Sequence, residues 1–210
     1  NLLREIAKLK FWAIGAQYSI ECLRDDEYVE LLAKANCRMS FLGMESLNEE
    51  SLRDVEKKQN KVEEYKEFFH KLNKKGILTF TGFMFALDED TPEYYETLPQ
   101  KLEEVGVNVI LPSISIPIYG TPLHKKMVDE NRIIDNDITH YEGDHVLFRH
   151  KHLTEEQIYY YYERTIKIFY SLKNILKRWW KFASMQTFDG SPKEYLLKTV
   201  LGSVIYFKLS

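Results

Sequence analysis

Four short polar clusters in this sequence have the residue types that hold a charged, hydroxyl-rich small molecule. They are Gln17, Glu45-Ser46, Asp88 through Asp90, and the loop Pro117-Ile118-Tyr119-Gly120-Thr121-Pro122. Carboxylates accept from ammonium and hydroxyl groups, an amide accepts or donates, and a loop with two prolines and a glycine is a stiff wall with accessible backbone. Each cluster also has a plainer reading. Glu45 and Ser46 can open a following helix, and Asp88, Asp90 and Thr91 ahead of Pro92 make a helix start capped by Thr91. Other reactive side chains point less clearly to chemistry. Cys22 and Cys37 are too few and too far apart for a disulfide framework or a metal site, and His124, His140, His145, His150 and His152 match no usual ligand spacing.

The elements that position the four clusters repeat one unit. Strand-like segments at Phe11 to Tyr18, Arg38 to Met44, Ile77 to Leu87 and Val107 to Leu111 alternate with helical segments at Asp25 to Asn36, Asn48 to Val55, Val62 to Lys75 and Pro92 to Val105. Gly76 and Gly106 stand just past the ends of two of these helices. Alternation of this kind requires parallel pairing through right-handed crossovers, with ligands gathering beyond the carboxyl ends of the strands. All four polar clusters fall at those ends. A cap explains any one of them, but four in register favour a ligand rim.

With 210 residues, 44% hydrophobic and 29% charged, the chain has the make-up of a globular fold with a substantial core. A net charge of −3 argues against generalised nucleic-acid binding. The first residue is Asn1, and four strands do not close a barrel, so the expectation is a longer parent whose amino-terminal part supplies further strands. The most apolar run, Thr199 to Leu209, is too short to span a bilayer. From Arg164 to Lys181 there are six basic residues and no acid among many aromatics, and positions 158, 161, 162, 165, 169, 172, 176 and 179 share one helical period. The expectation is one long amphipathic helix whose aromatic face packs on the barrel, with a membrane-surface contact through 158–181 as the alternative. Tyr159 to Tyr162 is read as helix surface and core.

Gly43-Met44-Glu45-Ser46-Leu47-Asn48-Glu49-Glu50-Ser51-Leu52, Lys58-Gln59-Asn60, Gly76-Ile77, Phe83 through Thr91, and Pro117 through Leu123 together resemble the second half of a radical S-adenosylmethionine enzyme. They are most similar to the class whose members carry an amino-terminal cobalamin-binding domain. The resemblance runs from about Trp12 to Arg132, and Asp144-His145-Val146 resembles the extension after the barrel. It implies an α/β fold: a parallel (β/α) partial TIM-type barrel fragment over 1–130, then a mainly helical carboxyl-terminal extension over 131–210. It also implies S-adenosylmethionine, a four-iron four-sulfur cluster held by a CxxxCxxC loop outside this chain, and cobalamin in the parent.

By the same resemblance the cofactor-binding residues are Gln17, Glu45, Ser46, Asp88, Pro117, Tyr119 and Gly120, with Glu45 accepting from the cofactor's ribose or ammonium. Relatives have Phe-Gly-Leu-Asp where this chain has Phe85-Ala86-Leu87-Asp88, which adds a methyl group. They commonly have Pro-Leu-Pro-Gly-Thr-Pro where this chain places Tyr119, on the adenine side. The implied parent is a cytoplasmic enzyme that transfers a methyl group or modifies a carbon skeleton on a small or lipid-like substrate and draws on an electron donor. A binding or scaffold module that keeps the half barrel without chemistry is the alternative.

Overall fold

A computed structural model describes residues 2–185. Helix α1 (Leu2–Lys8) precedes a repeating strand and helix pattern: β1 (Ile14–Gln17), α2 (Asp26–Lys34), β2 (Cys37–Glu45), α3 (Glu49–Asp54), α4 (Val62–Lys74), β3 (Leu78–Phe85), α5 (Pro92–Val105) and β4 (Val109–Ile114). Helices α6 (Pro122–Asp129), α7 (Glu155–Phe169) and α8 (Leu172–Met185) follow. The strands form one sheet in the order β1-β2-β3-β4, all parallel. This is the expected α/β half barrel followed by a helical part.

Local chemistry sets the boundaries. Asp25, Asn48, Thr91 and Thr121 each accept from backbone N–H groups in the first turn of α2, α3, α5 and α6. Gly106 ends α5 at φ 83°, a left-handed position that favours glycine. β1 starts at Ile14 rather than Phe11. β4 runs three residues past the expected stop at Leu111, through Pro112 to Ile114. The extension is tolerated because alternate N–H groups of β4 point away from β3: Ile110 N donates to the Tyr170 hydroxyl at 3.2 Å and Ile114 N to the Gly143 carbonyl at 2.6 Å. Pro112 lies between them on that same outer side, where a missing donor breaks no ladder bond.

The single long helix expected over 158–179 is two helices. The break is at Tyr170-Ser171, where the Asn174 amide donates to the Ile168 carbonyl at 2.8 Å and Asn174 N donates to Ser171 Oγ at 3.4 Å. A polar cap inside the apolar period restarts the helix in a new direction. Ile158, Tyr161, Thr165 and Phe169 are therefore buried, whereas Leu172 and Leu176 are exposed.

Among the described residues only one face of the sheet is covered. Tyr65, Phe69 and Leu72 of α4, Tyr95, Leu98 and Leu102 of α5, and Ile158 and Phe169 of α7 pack with Leu42, Met44, Phe83 and Phe85 of the strands into the core. On the other face Met39, Phe41 and Leu111 are 40, 37 and 37% exposed, and Phe41 stacks on Phe80 at 5.2 Å. Parallel sheets are normally buried on both faces. The outer edge of β4 is closed by Tyr170 and Gly143. The Thr199 to Leu209 run lies outside the described residues, and among those described no helix is long and apolar enough to cross a membrane.

Candidate functional site

Glu45 ends β2 in a conformation that few non-glycine residues adopt. Its φ is 65°, and the β2–β3 register shifts between Gly43 and Glu45. The distortion is held from below: Asn60 Nδ2 donates to the carbonyls of Gly43 and Met44 at 2.9 and 3.1 Å, and the Tyr65 hydroxyl donates to Met44 at 2.9 Å. Strain that is fixed in this way makes Glu45 a candidate functional position. The side chain folds back onto the uncovered face. A Cβ at Gly43 would stand 2.4 Å from Glu45 Oε1, and one at Gly82, the cross-strand partner of Gly43, 3.8 Å from Oε2. A cross-strand glycine pair thus leaves the space that the carboxylate fills. Lys57 Nζ donates to Oε1 at 3.1 Å, and the Glu45 side chain is 15% exposed.

Gln17 is exposed at the end of β1, in register with Phe41, on the same uncovered face as Glu45. Pro117 is buried, Tyr119 and Gly120 are exposed, and Gly120 has φ 81°. The Tyr119 ring stacks on Tyr141 at 5.3 Å and leans on His124 at 4.6 Å. A half-exposed, preset aromatic surface results.

Ser46 and Asp88 are committed elsewhere. Ser46 is fully buried; its hydroxyl accepts from Asn48 N at 3.0 Å and lies 3.2 Å from the Tyr94 hydroxyl. The Asp88 side chain is 1% exposed and takes a fork from Arg132, with the second bond at 2.9 Å, and Lys126 at 2.9 Å. Burial raises its pKa, but the bonds from Arg132 and Lys126 outweigh burial and hold it at about 2. Asp90, fully buried, accepts from Ser51 and Tyr95 at 2.7 Å each, and burial pushes it up to about 6. Both aspartates thus lock the loop after β3 instead of lining a cleft. Ala86, at the family's glycine position, has φ 59°.

The histidines are similarly tied. His150 Nε2 donates to the Leu87 carbonyl at 2.7 Å while Nδ1 accepts from His152 N and Leu153 N, and burial lowers its pKa. His140 and His145 stack at 4.3 Å, each against a carboxylate, Asp135 and Glu142. Among the described residues no group of three or more His, Cys, Asp or Glu is placed to hold a metal ion. Sequence reasoning missed Lys57 and the support role of Asn60 and Tyr65; Asn60 lay within a noted motif, but only folding brings it under Gly43.

Four parallel strands with helices on one face form a segment of a (β/α)-barrel fold, with a strained carboxylate at one strand end. Residues 2–102 match the family described as the Radical SAM superfamily. Among similar curated proteins, the bacteriochlorophyllide d C-12(1)-methyltransferase of Chlorobaculum tepidum is 28% identical over 179 residues, 85% of this chain and 38% of that protein. The hopanoid C-2 methylase of Rhodopseudomonas palustris is 24% identical over 124 residues, 59% of this chain and 24% of that protein. The chain therefore spans less than half the length of either relative. Among solved structures, the radical S-adenosylmethionine methyltransferase TsrM from Kitasatospora setae, with cobalamin and a 4Fe-4S cluster bound, aligns with TM-score 0.54 and 22% identity, covering 62% of this chain and 25% of that one. The same enzyme with tryptophan substrate and a cofactor analogue aligns with TM-score 0.51 and 21% identity, over 62% of this chain and 27% of that one.

Proposed function

We propose that this chain is the second half of the barrel of a cytoplasmic radical S-adenosylmethionine enzyme, with barrel sequence over 1–130 and an extension over 131–210. Its parent carries cobalamin and a four-iron four-sulfur cluster and transfers a methyl group, or modifies a carbon skeleton, on a small or lipid-like substrate. Methyltransferases among the similar proteins support this reading, one of them named for a hopanoid substrate.

The residues present do not fit the cluster. The sequence has two cysteines, and the Cys37 thiol is buried, donates to the Met39 carbonyl at 3.3 Å and is pushed up by burial. The cluster's ligands therefore belong to another part of the parent. S-adenosylmethionine fits better, because the cradle over Gly43 and Gly82 presents an acceptor that a ribose hydroxyl or an ammonium can meet. When bound, that cofactor supplies an activated methyl or adenosyl group. The chain's own part is to orient it: Glu45 accepts, Gln17 extends the polar rim, and Pro117, Tyr119 and Gly120 form the stiff loop beside the adenine. Ser46 and Asp88 act indirectly, by fixing the turns on which these groups stand.

The observation that carries the proposal is the Glu45 carboxylate, held in a left-handed backbone position over a glycine pair. In the anaerobically reconstituted parent, Glu45→Gln keeps the shape and loses charge-assisted bonds of about 1.5–3 kcal/mol, a tenfold to more than hundredfold loss of cofactor affinity. Equilibrium binding of S-adenosylmethionine reads this directly, and an unchanged affinity removes Glu45 from the site.

A further inference from the structure

Among the described residues helix α8 buries one side and leaves the other exposed. Ile175, Arg178 and Phe182 turn inward, with the Arg178 guanidinium 3.7 Å from the Phe169 ring centroid and paired with Glu103. On the opposite side Leu172, Leu176 and Trp180, spaced four apart, are 79, 58 and 69% exposed. Next to this stripe on the helix surface runs a second column with the same spacing, Lys173, Lys177 and Lys181. Leu172–Met185 contains no Asp or Glu. A concavity of about 550 Å³ at the junction of α7 and α8 is lined by Ile166, Tyr170 and Leu172 together with Glu163, Lys167 and Ser171.

We propose that this face seats the protein on an anionic lipid surface. Leu172, Leu176 and Trp180 enter the boundary between headgroups and acyl chains, and the lysine column lies over the negative headgroups. Three exposed apolar side chains alone would suit a groove on another protein equally well. The adjoining lysines select the occupant: a stripe of Leu and Trp beside a purely cationic column is the pattern of a helix lying in an anionic bilayer interface. Glu103 comes within 3.9 Å of Lys177 and is engaged by Arg178, and Lys181 rests beside Gly106 in a concavity that Glu103 and Glu104 also line, so Lys173, and Lys181 once its side chain swings off α5, carry the contrast. The inference is independent of the proposed methyl-transfer chemistry, since nothing in it uses the Glu45 site.

The test is co-sedimentation of the 210-residue chain with vesicles of phosphatidylcholine alone and of phosphatidylcholine mixed with phosphatidylserine. Binding is expected on the mixed vesicles, falling with added salt, and weakly or not at all on neutral ones. Each of Lys173→Gln and Lys181→Gln should lower partition about fivefold, and the pair roughly 25-fold, because a basic residue near an anionic surface contributes about that factor. Leu176→Ser with Trp180→Ser should abolish binding with the circular dichroism spectrum unchanged, as both side chains face outward. Equal partition onto neutral and anionic vesicles, or an undiminished lysine double variant, overturns the proposal. So does a chain that ignores both vesicles but dimerises through this face, a dimer that sedimentation velocity would show lost in the Trp180→Ser variant.

Discussion

At the scale of single residues, the loop after β3 shows why carboxylates that look alike in sequence have different tasks. Asp88 is held at about 2 by Arg132 and Lys126. Its folded pKa is depressed from 3.8, so its contribution is fully present above pH 3.8 and is lost as pH falls through 2. A shift of that size corresponds to about 2–3 kcal/mol. Urea unfolding at neutral pH should show Asp88→Asn less stable by about that amount, with the gap to the parent sequence closing as acid protonates Asp88; a gap independent of pH would mean the ion pairs are not its source. Ala86 carries a different cost. At φ 59° its methyl group is crowded by its own backbone, and Ala86→Gly should raise stability by about 0.5–1 kcal/mol, the strain relieved less the entropy glycine adds to the unfolded chain. A destabilised glycine variant would show that the methyl group packs usefully where it is buried. Glu45 sits at a similar φ of 65°, but its strain sets a carboxylate over the glycine pair, the arrangement proposed to hold the cofactor.

At the scale of elements, the parallel strands, their crossover helices and most caps were legible in the sequence because each has a local signal: a β-branched run, a helical period, an Asn or Thr before an apolar face. What escaped was decided by groups distant in sequence. The end of β4 escaped because Pro112 faces away from the ladder, and the break between α7 and α8 because one Ser-Leu-Lys-Asn cap outweighs an unbroken apolar period. Of the candidate site, Glu45 and Gln17 were readable from their place at strand ends. The commitment of Ser46 to Tyr94 and of Asp88 to Arg132 was not, since the partners lie 48 and 44 residues away. Tyr170 illustrates the same point. Its hydroxyl accepts from Ile110 N at 3.2 Å and donates to Ile110 O at 2.6 Å, closing the edge of β4 from 60 residues downstream. Tyr170→Phe leaves a buried N–H and C=O unpaired, and thermal unfolding should show a loss of about 1–3 kcal/mol. Hydrogen exchange at Ile110 should accelerate in the same variant. Unchanged exchange there would mean that another group covers the edge.

At the scale of the whole molecule, the sheet is finished on one side and open on the other. Helices cover one face and Tyr170 and Gly143 close the edge of β4, whereas among the described residues Met39, Phe41 and Leu111 are exposed on the opposite face, which holds Glu45. Apolar side chains on an open parallel sheet are a surface that further strands can bury, and a closed β4 edge leaves β1 as the edge where such strands would join. A parent that completes the barrel therefore removes Met39 from solvent without changing the covered face. Limited peroxide oxidation read by mass spectrometry separates the states: Met39, 40% exposed, should convert to sulfoxide readily in the 210-residue chain and slowly in the parent, while the fully buried Met44 and Met127 stay protected in both. Equal oxidation of Met39 in chain and parent would show that no added strands cover this face, and with it would go the cleft in which Glu45 is proposed to hold the cofactor.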